Sequence, residues 1–369
     1  MTESTAEAAG RVNLIGEHTD YHQGFVLPTA IPQRTRVHVI RRDDARVRVS
    51  SRERRGEVAE YTIGAEQPTQ TWIDYIQGVT HALRSSAPSL PGFDLSIESD
   101  VPVGSGLSSS AALTVGLLRA LRQLHGLPFD DLELARLAQR AETDFVGAPV
   151  GIMDPIACSL ARSGAALFLD TRSLACRHVP IPATVDLVVV DSGIKHSNAT
   201  GGYGERQRES FEAAEQLGVY RLRDIGVGQL DRIEQLPGPL ARRARHVVTE
   251  NQRVCDAVAA LTTGDVGRVG RLLNASHASL RDDFEVSTPD LDRLVTAGQE
   301  DRDVFGARMT GGGFGGAMVV LTRAGMAATV ADRILERYHS GGTPRGSVLL
   351  PLRAQPAELL QNAEGPLKG

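Results

Sequence analysis

The sequence predicts a mixed α/β (α+β) chain of about two domains. Three observations predict it. A length of 369 residues suits about two domains. Runs that alternate apolar and polar residues are interleaved with stretches of helical period. One stretch, Phe93 to His125, reads as a strand, a Gly/Ser loop and a helix in succession.

That loop is Val101-Pro-Val-Gly-Ser-Gly-Leu-Ser-Ser-Ser-Ala-Ala-Leu113. Phe93 to Ser99 alternates as a strand does. Ser109 to His125 has helical period and stops at Gly126. Glycines let the backbone approach an anion closely. Serines add hydroxyls and uncovered N–H groups at a helix start, where the dipole is positive. The unit therefore reads as a phosphate cradle. It is not a Walker A loop, because no Gly-Lys-Ser/Thr follows, and it is not Gly-x-Gly-x-x-Gly. A capped helix after a flexible turn is the plainer reading of the same residues.

The other elements follow in chain order. Val12 to Ile15 reads as a short strand, and Gly16 turns the chain. Glu17, His18, Thr19 and Asp20 then form a polar loop. Such a loop suits a polyhydroxyl ligand, since carboxylates accept bonds from vicinal hydroxyls and a histidine donates or accepts. An acidic turn with Thr19 and Asp20 as local caps is the plainer reading. Arg34 to Ile40 and Arg46 to Ser50 flank Arg42-Asp-Asp-Ala45 and read as a hairpin. The charged stretch to Gln70 is a loop or edge strand. Thr71 to Leu83 is helix-like and carries Trp72, the single tryptophan, either as core packing or as the wall of an adenine pocket.

Asp130 to Phe145 reads as a helix opened by a capping-box variant, Asp130 with Glu133. Glu142 lies at the edge of its apolar face, as a solvated rim residue or as a partly buried cation ligand. In Val150-Gly-Ile-Met-Asp-Pro-Ile-Ala157, Asp154 and Pro155 read as an N-cap and the first helical residue. A carboxylate at a helix start is also poised to accept a hydroxyl proton, and Gly151 would let a ligand come close. Ala165 to Asp170 and Val185 to Asp191 read as strands. Asp191 to Gly204 is a polar loop with Tyr203 open to a ligand, and Glu205 to Leu217 is a charged helix. Leu240 to Asp283 is largely helical. Met309 to Leu321 is a second glycine-rich turn feeding a strand.

Composition narrows the chemistry. Apolar residues make up 41% of the chain, enough for substantial cores, and the net charge is −5 with both signs dispersed. No basic block suggests nucleic acid or an anionic membrane. Cys158, Cys176 and Cys255 are few and far apart, which fits a reducing cytoplasm and excludes a structural zinc cluster. The first ten residues hold neither Lys nor Arg nor an apolar core, and no apolar run is long enough to span a bilayer. The two lysines are Lys195 and Lys368. Phosphate must then be handled by Arg, backbone N–H and metal, which argues against P-loop and protein-kinase chemistry.

Three motifs in this order resemble the GHMP kinase superfamily: Gly10-Arg-Val-Asn-Leu-Ile-Gly-Glu-His-Thr-Asp-Tyr21, Pro102 to Ala112, and Met309 to Gly316. The first motif, Gly151-Ile-Met-Asp154, Arg172-Ser173 and His277-Ala-Ser-Leu-Arg-Asp-Asp-Phe-Glu-Val286 resemble its galactose-phosphorylating branch. The resemblance implies two α/β domains, 1–175 and 176–369, with the active site in the cleft between them. It implies ATP-dependent phosphorylation of galactose at the anomeric hydroxyl. Asp154 would be the catalytic carboxylate and Arg11 its charge-stabilising partner. Glu17, His18, Thr19, Asp20, Gly151 and Tyr203 would hold the sugar. Gly104, Ser105, Gly106, Leu107, Ser108, Ser109 and Ser110 would wrap the ATP phosphates, and Ser50 would touch the nucleotide. Ser110 and Glu142 would hold Mg²⁺. A monomer without nucleic-acid or membrane partners is implied as well. Thr114 and Pro155 depart from the family, which commonly has Glu and Gln there. Another sugar, such as N-acetylgalactosamine or arabinose, and a non-catalytic galactose and ATP sensor remain the alternatives.

Overall fold

The computed structural model describes residues 2–54, 56–148, 150–194, 199–340, 342 and 346–351. Both lysines, Lys195 and Lys368, lie outside these residues. The chain opens on β1 (Glu3–Asn13), a polar turn, β2 (Phe25–Val26) and β3 (Pro28–Arg41). β1 runs antiparallel to β3 and starts nine residues earlier than the sequence pattern suggests. Its core-facing residues there are Ser4, Ala6 and Ala8, which are small and weak in strand propensity. The pairing shifts between Ala9 and Arg11, opposite Pro32. Proline gives no N–H to a ladder. At this break the Arg11 N–H turns instead to the Leu107 carbonyl, 3.1 Å away.

Next come β4 (Arg46–Ser51), β5 (Val58–Thr62), α1 (Asp74–Leu83) and β6 (Phe93–Ser99). The expected hairpin of β3 with β4 does not form. β6 inserts between them, antiparallel to β3 and parallel to β4. The backbone of the connecting residues 42–45 bonds to Gly92: Arg42 N–H to Gly92 O at 2.9 Å and Gly92 N–H to Asp44 O at 2.7 Å. Only glycine fits, since a Cβ there would lie 2.0 Å from the Arg46 carbonyl oxygen. A parallel pair needs a crossover, and α1 lies within it. β5 pairs with β4 and forms the sheet edge.

α2 (Ser109–His125) follows the Gly/Ser loop and ends at left-handed Gly126. α3 (Asp131–Arg140) starts with the expected capping box, then widens into a π-helical turn over Ala141–Val146. α4 (Met153–Leu160), β7 (Ala165–Asp170) and β8 (Cys176–Pro180) complete the first half. The first sheet has the order β2-β7-β3-β6-β4-β5, with β1 on β3 and β8 on β7. Val115, Leu118 and Leu121 of α2 are fully buried in the core shared with Val12, Val37 and Val39 of the sheet.

The second half begins with β9 (Val185–Asp191) and continues through α5 (Ala199–Gln216), α6 (Leu230–Glu234), α7 (Gly238–Thr263), α8 (Val266–Asp282) and α9 (Pro289–Gln299). β10 (Val304–Thr310), β11 (Ala317–Arg323), α10 (Ala327–Ser340) and β12 (Ser347–Leu350) close it. These strands form an antiparallel sheet of order β10-β11-β9-β12. β9 is covered on both faces. Val188 and Val190 pack with Leu294 and Ile334 of α9 and α10, while Val185 and Val189 join the core that reaches the first sheet. α5 begins before Glu205, so Tyr203 stands on a helix and not in a loop. Neighbouring glycines hide the helix from the sequence. Gly202 is needed there, because a Cβ would meet the Phe314 ring at 2.6 Å.

Candidate active site

Arg11 leaves the break in the β1 ladder and meets Asp154 in the first turn of α4. Its Nε donates to Asp154 Oδ1 at 2.7 Å and its Nη2 to Oδ2 at 2.6 Å. Its Nη1 donates to the Gly106 carbonyl at 2.5 Å. The Ser108 hydroxyl donates to Asp154 Oδ2 at 2.6 Å. One carboxylate thus ties the first motif, the Gly/Ser loop and α4 together. Asp154 is not the N-cap expected from sequence: Ile152 holds that position and no side chain caps the helix. Arg11 is buried, which opposes its charge, but Asp154 and then Glu17 outweigh burial and hold it firmly protonated.

The 160 Å³ cavity beside this pair is lined by Arg11, Glu17, His18, Asp20, Gly151, Asp154 and Tyr203, together with Gly311 and Gly312. It is smaller than the ~300–1,000 Å³ of pockets for drug-sized molecules, so it suits one small ligand. Glu17 is buried and accepts from the Thr310 hydroxyl at 3.1 Å and the Gly311 N–H at 2.8 Å, which joins the first motif to the third. His18 adopts φ 63°, strained for a residue with a Cβ, and its Nδ1 meets the Tyr21 hydroxyl at 3.0 Å. Its Nε2 is buried without a partner among the described residues. Gly151 has a role beyond ligand approach: a Cβ there would lie 1.5 Å from Asp20 Oδ2. Thr19 alone among the expected sugar contacts is absent from the cavity wall. It is fully buried, and its hydroxyl donates to the Gly16 and Phe25 carbonyls at 2.9 and 2.7 Å.

Burial sets the protonation states. It pushes Asp20 up to about 6, reinforced by the charge of Asp154. It pushes His18 down to about 3, reinforced by His246 and Arg308, so the imidazole is neutral. The Tyr203 phenol is held well above its usual range by burial and by Asp20. The cavity therefore offers carboxylate acceptors and a neutral imidazole, a donor set for hydroxyl groups.

The Gly/Ser loop borders the other side of Asp154. Its backbone takes positive φ at Gly104, Gly106 and Ser108. Ser108 precedes α2 without capping it, so the first N–H groups of the helix have no side-chain acceptor. The Gly106 Cα side lies against Thr310 O and Gly311, where a Cβ would sit 3.6–3.7 Å away. Beside the loop runs a largely apolar groove of 210 Å³ with Trp72 and Tyr75 on one wall and Val103, Ser109, Ser110 and Leu113 on the other. Trp72 is half-buried, packs against the core and also lines this groove. Ser50 does not reach this groove. It shares the solvent face of β4 with Arg46 and Arg48, while Ser51 faces inward and lines the groove. Ser50 and Ser51 thus point to opposite faces of β4.

Ser110 Oγ donates to Glu142 Oε2 at 3.1 Å. Glu142 is on the π-helical turn, buried, with Oε1 lacking any partner among the described residues. Burial, then Asp154, pushes it up to about 7. An orphaned buried carboxylate oxygen beside a hydroxyl fits a hard cation such as Mg²⁺, which takes one or two protein oxygens plus phosphates. Among the described residues no group of three or more His, Cys, Asp or Glu side chains forms an all-protein metal site.

Sequence reading missed the support behind the cavity. On α7, His246 Nε2 meets the Glu17 carbonyl at 3.1 Å, Glu250 accepts the Gly16 N–H at 3.0 Å and Asn251 accepts the Phe25 N–H at 2.8 Å. Arg308 of β10 is fully buried and donates to the Asn13 and Leu14 carbonyls at 3.1 and 2.9 Å. A polar face on a helix buried by its neighbours was the available signal. The two departures are accommodated locally. Thr114 bonds back to the Ser110 and Ala111 carbonyls, and Pro155 is buried in the first turn of α4.

Comparison with known families and proteins agrees with this layout. Residues 2–41 match the galactokinase galactose-binding signature, 74–162 the GHMP kinases N terminal domain, and 257–340 the GHMP kinases C terminal domain. The chain is 44% identical to a galactokinase from Roseiflexus sp. (strain RS-1), covering 94% of this chain and 90% of that protein. It is 43% identical to one from Streptomyces coelicolor, covering 92% and 90%. Among solved structures it resembles Lactococcus lactis galactokinase complexed with galactose, with a TM-score of 0.89 at 32% identity over 94% of this chain and 92% of that one. Methanococcus jannaschii mevalonate kinase matches at a TM-score of 0.68 and 18% identity over 94% and 96%, a likeness of fold alone.

Proposed function

The chain belongs to the galactokinases of the GHMP kinase superfamily, and from that membership we propose that Asp154 is its catalytic carboxylate and Arg11 the cation that steadies the transferring phosphoryl group. The activity is ATP-dependent phosphorylation of galactose to galactose 1-phosphate. The observation that carries the residue assignment is the Arg11–Asp154–Ser108 junction between the sugar cavity and the Gly/Ser loop.

Galactose enters the 160 Å³ cavity, where Glu17, His18, Asp20 and Tyr203 hold its hydroxyls and Gly151 leaves room for Asp20. Asp154 Oδ1 is held by Arg11, with Nε at 2.7 Å and Nη2 at 2.6 Å, on the edge of the cavity where the anomeric hydroxyl arrives. Asp154 Oδ2 is occupied by Arg11 and Ser108, so the carboxylate cannot rotate away. The hydroxyl oxygen attacks the γ-phosphorus of ATP directly, ADP leaves, and the hydroxyl proton passes to Asp154. Such transfer depends on positioning and charge neutralisation more than on covalent help. Gly104 to Ser110 receive the phosphates, and the groove of Trp72 and Tyr75 receives the base. Ser110 and Glu142 would hold Mg²⁺, which would neutralise phosphate charge.

We assign the domains as 1–175 and 176–369, with β8 reaching back to the first sheet. The three free cysteines support a cytoplasmic setting. Among the described residues no helix is long and apolar enough to cross a membrane. A monomer that works on galactose and MgATP is the simplest arrangement.

Asp154→Asn tests the assignment. It keeps the shape and removes the proton acceptor. We expect kcat to fall by about 10³-fold or more, with MgATP and galactose still bound by calorimetry. Turnover within tenfold of the wild type would remove Asp154 from the role. A sugar panel run on the wild type would show whether N-acetylgalactosamine or arabinose competes with galactose as substrate.

A further inference from the structure

The segment His277 to Val286 contributes no side chain to the cavity wall, yet it ends directly behind it. Phe284 is fully buried and lies between two imidazoles. Its ring centroid is 4.5 Å from that of His18 and 4.8 Å from that of His246. On its other side the His18 ring is 5.4 Å from Tyr203. The His18 ring has few direct bonds to fix it. It has φ 63°, one polar contact to Tyr21, and an Nε2 with no partner among the described residues.

His246 acts on the same residue through the backbone. Its Nε2 contacts the carbonyl of Glu17, the peptide that leads into His18, at 3.1 Å. A carbonyl only accepts, so His246 Nε2 carries the hydrogen, while Nδ1 lies 2.9 Å from the Ser279 hydroxyl, which donates to Asp283 Oδ2 at 3.0 Å. Burial pushes His246 down to about 4, consistent with that neutral tautomer. The segment is itself anchored. His277 Nδ1 accepts the Met309 N–H at 3.4 Å, and the Val286 carbonyl accepts the Phe314 N–H at 2.7 Å. The same stretch therefore reaches the third glycine-rich motif and the back of His18.

We propose that Phe284 and His246 are positioning residues that seat His18 for its contact with the sugar, Phe284 by stacking and His246 through the Glu17–His18 peptide. The inference rests on the sugar-kinase reading above and extends it to residues outside the cavity. Neither side chain touches substrate. Their loss should loosen the sugar side and leave the phosphate side alone.

The test pairs kinetics with a readout that needs no turnover. Phe284→Leu and Phe284→Met both remove the ring while keeping an apolar side chain. We expect the KM for galactose to rise about 2- to 10-fold, the size of one aromatic contact. The KM for MgATP and kcat should stay within about 2-fold. In the apoprotein, the His18 ring-proton NMR signals should shift as the Phe284 ring current is lost. His246→Leu should raise the galactose KM in the same way, by about 10-fold, and His246→Gln, which keeps an N–H donor, should recover most of it. Folded Phe284 variants with an unchanged galactose KM, or with both KM values raised together, would overturn the proposal. If the wild-type chain phosphorylates no galactose, the substrate reading fails by itself. The seating is then decided by the NMR signals, and an unchanged His18 signal in both Phe284 variants overturns it.

Discussion

The sugar cavity and the Gly/Ser loop meet at Asp154, but they are built in opposite ways. On the sugar side the carboxylates are held by the protein: Glu17 by Thr310 and Gly311, and Asp154 by Arg11 and Ser108. His18 is stacked from behind, and α7 braces the loop at Gly16, Glu17 and Phe25. On the phosphate side the backbone is open. Val103 is 88% exposed, Gly104 faces empty space, and the start of α2 has no capping side chain. The difference fits the ligands proposed for the two sides. A neutral sugar offers only directional hydrogen bonds, so its partners must stand ready before it arrives. Phosphates bring charge, which uncommitted helix-start N–H groups attract without a rigid mould.

Gly151→Ala should break the rigid side hardest. Its Cβ would fall 1.5 Å from Asp20 Oδ2, so Asp20 or the α4 entry must move. Misplacement on the scale of 1 Å costs about 100-fold, and we expect that loss in kcat/KM for galactose. MgATP binding measured by calorimetry should stay within about 3-fold, given the openness of the loop. Equal losses on both substrates would mean that the two sides are one rigid unit.

Lower pH should separate activity from stability at the same residue. Asp20 is pushed up to about 6 by burial and by Asp154, above its usual 3.8. Below about pH 6 it takes a proton and ceases to be a pure acceptor, so kcat/KM for galactose should fall about tenfold per unit. The stability effect has the reverse sign. Between about pH 4 and 6 the folded chain holds this proton and the unfolded chain does not, so the Asp20 contribution rises as pH falls through that window. Asp20→Asn should flatten that contribution in thermal melts taken across the window. A melt profile identical to the wild type would mean that Asp20 is not raised.

Much of this site was legible in the chain because the motifs are local. Glu17, His18 and Asp20 are nearly consecutive, and the Gly/Ser loop with its helix sits within one run of residues. The strand ladder hid more. Arg46 to Ser50 has a strong strand pattern, but nothing in it says that β6, more than forty residues later, will displace β3 as its neighbour. The π-helical turn that buries Glu142 looks like ordinary helix, since the extra residue changes no composition. Tyr203 was placed in a loop because glycines weaken the helix signal, while contact with Phe314 demands one of them. The α7 brace was least legible. His246, Glu250 and Asn251 read as one polar strip of a long helix, and only the tertiary fold turns that strip inward.

The smallest effect tests a single step of strand alternation on the open side. Val47, Val49 and Ser51 face inward on β4, and Arg46, Arg48 and Ser50 face solvent. Ser51 borders the groove beside Ser109 and Ser110, and its hydroxyl is tied to Glu53 at 2.7 Å. Ser51→Leu should crowd the groove and raise the KM for MgATP several-fold, at most about 10-fold, because an open groove absorbs a few added carbons more easily than a packed core. Ser50→Leu adds the same carbons one residue away, and it should leave both KM values within about 2-fold. The galactose KM should move in neither variant, since β4 contributes nothing to the cavity. If Ser50→Leu is the more damaging of the two, the nucleotide reaches around the edge of β4 to its outer face, and the phosphate side extends further than the groove beside α2.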